Sequence, residues 1–287
     1  MKTTNRVDRT FAALRARNAA ALIPFLTAGD PDLGTTGELM RVAVASGADL
    51  IELGVPFSDP SADGPILQRS AEIGLRAGAS LPRVFELVSD FRHESEVPVI
   101  LYGYYNPIFH YGPERFAADA RRAGVDAALV VDLPPEEAAE LLQWTRPAAI
   151  HLIFLLAPTS GPDRVRRVLK HAAGFVYYVS VTGVTGVRPM DAATVRPAVE
   201  QLRAATALPI GVGFGISTPE QAAAVATFAD AAVVGSAIMR LVDQHRGSPH
   251  LVAEVGAFIQ RLADGVRHAR AGTLGDSIDL PPADVRR

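Results

Sequence analysis

Three carboxylates crowd one short run of this chain. In IELGVPFSDPSADGPILQ, residues 51–68, Glu52 closes an apolar segment, and Asp59 and Asp63 follow in a stretch rich in Pro, Gly and Ser. The apolar segment reads as a buried strand and the stretch after it as a long loop. Burial raises the pKa of a carboxyl group, which is what a general acid or base working at neutral pH requires. The competing reading of Glu52 is a side chain that caps a loop or pairs with an Arg, because burying an unpaired carboxylate is costly.

Other chemistries lack the residues they need. The chain has two Lys, Lys2 in the N-terminal tail and Lys170 at a helix end, and neither sits on a strand facing a site. Schiff-base and PLP enzymes depend on a placed Lys. The seven His are scattered singly without metal-ligand spacing, and His110 and His151 read as surface or strand-edge residues. With no Cys, disulfides, thiolate catalysis and Cys-ligated metal are excluded, and a reducing cytosol is the natural setting. What remains is acid–base chemistry by carboxylates and a Tyr. A net charge of -3 without a basic run gives nucleic acid no footing. No apolar run reaches the length of a membrane helix. Residues 19–28 follow several Arg and imitate a signal-peptide core, but Pro24 and the preceding Asp8 favour a first buried strand.

These side chains need a scaffold, and the hydrophobic pattern supplies one. The 287 residues are 48% hydrophobic, enough for one large domain. Apolar runs at 21–26, 49–53, 98–102, 126–131, 150–156, 175–181, 209–212 and 230–234 read as eight strands. Between them lie segments of helical period, at 37–48, 81–91 and 113–124 among others. Helix starts are marked in STPEQAAAVA, where Ser217 or Thr218 caps, Pro219 fits the first turn and Glu220 completes a capping-box spacing. SPHLVAEV at Ser248 and Pro249 and PPEEAAELLQ at Pro135 carry similar starts. Strand and helix alternating eight times, with strands apolar on both faces, predict a single (β/α)8 TIM barrel. The rival, a doubly wound sheet, would carry a Gly-rich dinucleotide turn after strand one, where this chain has LTAGDPDLG. We expect one barrel domain over 1–269, an extra N-terminal helix, an insertion after strand two with its own helix at 67–77, and a flexible tail at 270–287.

Active sites of such barrels lie at the C-terminal ends of the strands. Leu50 and Glu52 share a strand face, so Glu52 points into the barrel mouth. Across the mouth, VTGVTG, GFGIS and VVGSAI follow strands six, seven and eight. Gly lets backbone amides approach an anion, and helix N-termini favour negative charge. Gly186, Gly215, Gly235 and Ser236 are therefore candidate phosphate ligands. Each Gly alone would read as a tight turn; three consecutive loops of this kind favour phosphate.

The runs ELGVPFSDPSADGPILQ, YYNPIFHYG, VDLPPEEA, YYVSVTGVTG and GFGIS…VVGSAI together resemble the tryptophan synthase α-subunit family, in order from about residue 11 to about residue 269. The resemblance implies a (β/α)8 barrel that performs retro-aldol cleavage of indole-3-glycerol phosphate to indole and D-glyceraldehyde 3-phosphate, without a cofactor of its own. It implies a cytoplasmic heterotetramer of two α and two β subunits, in which a PLP-dependent β subunit receives the indole. Glu52 and Asp63 match the family's catalytic carboxylates and Tyr177 its active-site Tyr. Phe25, Tyr104, Asn106, Asp132 and Phe214 match positions that line the pocket or organise its loops, and plain packing is the competing reading for Phe25 and Tyr104. Thr185 falls in the loop after strand six, with a link to Asp63 implied, while Asp59 and Pro56 shape the Asp63 loop. Two positions depart from the pattern: Val181 stands where some relatives carry Arg, and Tyr102 where a smaller aliphatic or Met is common. Three other readings stay open. They are a free-standing lyase that releases indole, an idle barrel that only activates a β subunit, and a phosphate-binding barrel isomerase, against which the Asp63 loop counts.

Overall fold

The computed structural model of the protein describes residues 4–179, 192–213 and 215–270. Eight parallel strands close into a barrel: β1 (Ala21–Thr27), β2 (Ile51–Gly54), β3 (Val99–Gly103), β4 (Ala127–Val130), β5 (His151–Leu156), β6 (Val176–Val179), β7 (Ile210–Gly213) and β8 (Ala231–Val234), with β8 pairing back onto β1. All eight expected strands are present, each within one or two residues of its expected bounds among the described residues. Residues that pair across parallel strands point to the same side of the sheet. Phe25 pairs with Glu52 and Glu52 with Ile100, so these three share the inward face.

The helices form the outer ring and the ends. They are α1 (Arg6–Ala16), α2 (Leu33–Ala45), α3 (Pro65–Arg76), α4 (Leu81–Arg92), α5 (Tyr105–Tyr111), α6 (Pro113–Ala123), α7 (Ala139–Thr145), α8 (Pro162–His171), α9 (Ala192–Ala205), α10 (Pro219–Ala226), α11 (Ser236–His245) and α12 (Leu251–His268). None of the described helices is long and apolar enough to cross a membrane. Local chemistry sets their ends. The α6 helix stops at Gly124, whose left-handed φ of 88° lets its amide return to the Ala120 and Arg121 carbonyls.

Three helix starts differ from expectation. Thr218 does cap α10, but Gln221, not Glu220, closes the reciprocal contact, accepting from the Ser217 amide at 2.7 Å. Ser248 and Pro249 form a turn ahead of α12, with the Ser248 hydroxyl accepting from the His250 amide at 3.2 Å. Pro135 lies in a turn too, and α7 begins only at Ala139. Glu136 is drawn out of that helix start by Arg164 and Arg167 of α8, at 3.0 and 2.7 Å. The expected tail from residue 271 onward lies outside the described residues; Arg270 donates to the carbonyls of Ala226 and Ala229.

The extra N-terminal helix has a defined task. On α1, Val7, Phe11 and Leu14 are buried, and the Phe11 ring meets Phe175 at 5.5 Å. The Asn5 amide donates to the carbonyls of Asp126 and Ala149. The helix therefore seals the end of the barrel at which the strands begin. His151 serves this seal, its Nε2 lying 2.7 Å from Asp8.

One buried ion pair anchors the same end. Asp126 is 2% exposed and accepts from Arg92 at 2.7 Å, from the Val99 amide at 3.0 Å and from Arg6 at 3.2 Å. Removing one partner of a buried pair leaves the other charge uncompensated. Asp126→Ala should therefore lower unfolding free energy by about 3–5 kcal/mol. Glu96→Ala, which removes only the exposed partner of Arg6, should cost less than about 1 kcal/mol. Urea unfolding midpoints of the two variants measure the contrast; equal losses would contradict it.

Candidate active site

β2 runs Ile51–Gly54 and buries every residue. Its second residue, Glu52, is 3% exposed. Burial, reinforced by the nearby charge of Asp63, pushes the Glu52 carboxyl up to about 8. The group is therefore mostly protonated at neutral pH.

The chain leaves β2 and folds back over the mouth before α3. Pro56 is buried against α3 at Gly74, where even a Cβ would lie 2.7 Å from its ring. The loop then turns, with the Asp63 amide donating to the Pro60 carbonyl at 3.0 Å and the Gln68 side chain donating to the Asp63 carbonyl at 2.8 Å. This returns Asp63, 4% exposed, to the barrel. Its Oδ1 accepts from the Tyr102 hydroxyl at 2.7 Å and its Oδ2 from the Tyr104 hydroxyl at 2.9 Å. Burial raises the Asp63 carboxyl and the two phenols pull it back down, with burial prevailing. Asp59 is exposed and accepts from Ser58 in the same loop, a shaping role rather than a place at the carboxylate pair.

Tyr177 stands on the inward face of β6, paired with Leu155 and Gly211. It is 4% exposed, and burial with the charges of Glu52 and Asp63 holds its phenol well above the usual range. Its ring fits because β7 carries Gly213, where a Cβ would come within 2.5 Å of the Tyr177 Cζ. Phe25 fits for the same reason, since a Cβ at Gly54 would come 2.6 Å from its ring. Tyr178, on the opposite face, is buried too.

The remaining expected residues separate into groups. Phe25, Asp63, Tyr102 and Tyr104 line one enclosed space, together with Thr27, whose buried hydroxyl has no partner among the described residues. Asp132 is exposed and accepts from the Tyr105 amide at 2.7 Å, so it caps α5 and organises the loop. Asn106 is exposed on α5. Gly235 and Ser236 open α11, and Gly215 follows β7 with a φ of 81°. Thr185, Gly186, Val181 and Phe214 lie outside the described residues.

Two features were not read from the sequence. Tyr102 bonds directly to Asp63. Tyr102 and Tyr104 are two residues apart on one strand face, and that alternation is the signal that pairs them. Asp30, 1% exposed, joins Ser70 of α3 to Arg246 beyond α11. No sequence period reports a contact of that separation.

Comparisons with known proteins agree with the fold. A curated tryptophan synthase alpha chain from a Geobacter species is 53% identical over 262 residues, covering 91% of this chain and 98% of that protein. One from Gluconacetobacter diazotrophicus is 52% identical over 275 residues, covering 93% and 99%. The crystal structure of tryptophan synthase subunit alpha from Legionella pneumophila superposes with a TM-score of 0.86 at 38% identity, covering 92% of this chain and 99% of that one. A chain of Mycobacterium tuberculosis tryptophan synthase gives 0.85 at 35% identity, covering 92% and 99%. Residues 11–267 match the family described as tryptophan synthase alpha chain. A closed barrel with two buried carboxylates at the C-terminal end of its strands, matched over nearly its whole length, belongs to the tryptophan synthase alpha chain family, whose reaction is the lyase step that releases indole from indole-3-glycerol phosphate.

Proposed function

We propose that the barrel, as one domain over 1–269, cleaves indole-3-glycerol phosphate with Glu52 and Asp63 as its proton-handling pair and Tyr177 beside them. The observation that carries this reading is the unequal state of two buried carboxyls in one mouth. Glu52 holds a proton at neutral pH, while Asp63 accepts two phenol hydrogens. Two carboxyl groups in different environments suit two proton roles.

The route balances with these groups alone. Asp63 accepts a hydrogen bond from the indole N–H and stabilises the positive charge that develops there. Glu52 gives its proton to the ring carbon bearing the side chain, then takes the proton of the neighbouring hydroxyl as the carbon–carbon bond breaks. The aldehyde leaves as D-glyceraldehyde 3-phosphate, the ring recovers its aromaticity as indole, and Glu52 ends protonated as it began. Nothing in the route calls for a cofactor in this chain; PLP belongs to the β subunit. A soluble setting in the cytoplasm suits a Cys-free chain of this chemistry.

Glu52→Gln keeps the shape but cannot shuttle a proton, and turnover should fall at least about a hundredfold. Asp63→Asn should fall similarly. In the unaltered protein, kcat/KM should decline on the alkaline side near pH 8, as Glu52 loses its proton. Near-normal rates in both variants would end the assignment.

The phosphate is proposed to rest on the loops after β6, β7 and β8. Gly235 precedes Ser236 at the start of α11, where the first amides of a helix have no partner within it. A Cβ at Gly235 would meet Phe25 at 3.4 Å, an ordinary contact that the fold tolerates. Gly235→Val should weaken glycerol phosphate binding at least about tenfold and change indole binding less. Titration calorimetry with both ligands tests this, and equal loss for both would place the phosphate elsewhere.

A β subunit docked over the barrel mouth is the proposed partner, in a heterotetramer of two α and two β chains. Phe109 on α5 is 61% exposed on the side of the barrel where the Asp63 loop lies, an apolar group available to a partner. Docking should raise indole release at least about tenfold by favouring the productive loop arrangement, which needs only about 1.4 kcal/mol of differential stabilisation. Indole release measured against increasing β subunit, with a parallel binding assay, checks this. High turnover without binding would favour a free-standing lyase.

A further inference from the structure

Asp63 is reached through an eleven-residue excursion from Glu52, yet its carboxylate is more closely held than the loop alone would make it. Both of its oxygens are occupied by hydroxyls from a single segment, Tyr102 within β3 and Tyr104 just beyond it. The proton directions follow from one further contact. The Ala62 amide donates to the Tyr104 oxygen at 3.0 Å, so that phenol's own hydrogen is left for Asp63 Oδ2. Tyr102 is fixed by its strand and by the Phe25 ring, which meets it edge-on at 5.2 Å and 85°. Two donors on two carboxylate oxygens stabilise the ionised group over the protonated one, whose hydroxyl oxygen is the poorer acceptor.

We propose that Tyr102 is a positioning residue for the cleavage reaction: from the rigid β3 strand it holds Asp63 Oδ1, keeping that carboxylate in the mouth as an anion turned toward Glu52. Tyr104 meets both Asp63 and Ala62 from just beyond the strand, so Tyr102 is the contact that ties Asp63 to the barrel wall from within β3 itself. The proposal rests on Asp63 serving the reaction as described above. The titratable groups around Asp63 are Glu52 from β2, Tyr102 and Tyr104 from the β3 segment, and Tyr177 from β6; Asp132 acts on Tyr104 from beyond β4. Glu52 is protonated and the three phenols are neutral over the acid range. Asp63 is therefore the group in this set that gains a proton as pH falls below neutral.

Tyr102→Phe retains the ring against Phe25 and removes only the donor. Loss of a hydrogen bond to the charged form favours protonation, so the acid limb of kcat/KM should move up by about one pH unit. Turnover at pH 6 should fall more than turnover at pH 8. The fold activation by a β subunit should rise, because docking then supplies order that the barrel no longer provides. An unmoved acid limb with a uniformly lower rate would reduce Tyr102 to packing and overturn the proposal. Should the variant unfold, the Asp63 carboxyl can be titrated by NMR in the unaltered chain and in Tyr104→Phe. The proposal expects Asp63 to remain ionised to lower pH than burial alone would allow, and in Tyr104→Phe to keep a part of that protection. Complete loss in Tyr104→Phe would overturn it. Asp63→Asn separates this proposal from the reading beneath it: an active Asp63→Asn removes the catalytic role of Asp63, whereas an inactive one with an unmoved Tyr102→Phe profile removes only the clamp.

Discussion

A neutral carboxyl group sealed into the wall of a parallel barrel is the constraint around which this molecule is arranged. Glu52 sits where strand packing asks for an aliphatic side chain, 3% exposed, between Phe25 and Ile100 in the register. Its proton is what makes the position tolerable. The carboxyl titrates near 8 in the folded chain, against an ordinary Glu value of 4.5. A raised acid of this kind favours folding most below pH 4.5, and that contribution is lost as pH rises toward 8, because only the unfolded chain ionises freely. The group proposed to serve the reaction is thus a standing cost to stability at neutral pH, met by the closed barrel and by the seal that α1 forms at the opposite end.

The interior accommodates the site by leaving side chains out. Two large rings enter the barrel where a neighbouring strand offers glycine. Phe25 occupies the space over Gly54, and Tyr177 the space over Gly213. Adding one Cβ at either position would drive into a ring fixed by its own strand, since barrel interiors are close-packed and do not yield by such distances. The glycines of β7 therefore read as room for the aromatics of β6 as much as turns toward a phosphate.

Strand order, the inward face of Glu52 and that of Tyr177 were legible because each depends on a period of two in short apolar runs. The barrel itself followed from the alternation of those runs with helical segments. What escaped depends on contacts between distant residues. Tyr102 was read as an odd pocket residue, though it shares a face with Tyr104 and reaches Asp63 across 39 positions of sequence. PPEEAAELLQ was read as a helix start at Pro135, but that segment forms a turn in which Glu136 meets two Arg of α8. Helix propensity is a weak prior that tertiary context overrides, and no local pattern announces contacts with α8.

The same limit hides how the two ends of the site are kept in step. The α3 helix starts two residues after Asp63, and α11 starts beside Gly235, where the phosphate is proposed to rest. One buried carboxylate joins them. Asp30 accepts from Ser70 of α3 at 2.7 Å and from the Arg246 guanidinium at the end of α11 at 3.1 Å. Burial raises the Asp30 carboxyl, and Ser70 and Arg246 draw it back toward the ionised form. A shift of α11 relative to α3 would strand this group without its partners in a place water does not reach, which is costly. The helices that begin after Asp63 and after Gly235 are thereby held in one relative position, and the spacing between the proposed proton pair and the proposed anion site becomes a property of the barrel's outer ring rather than of the loops alone.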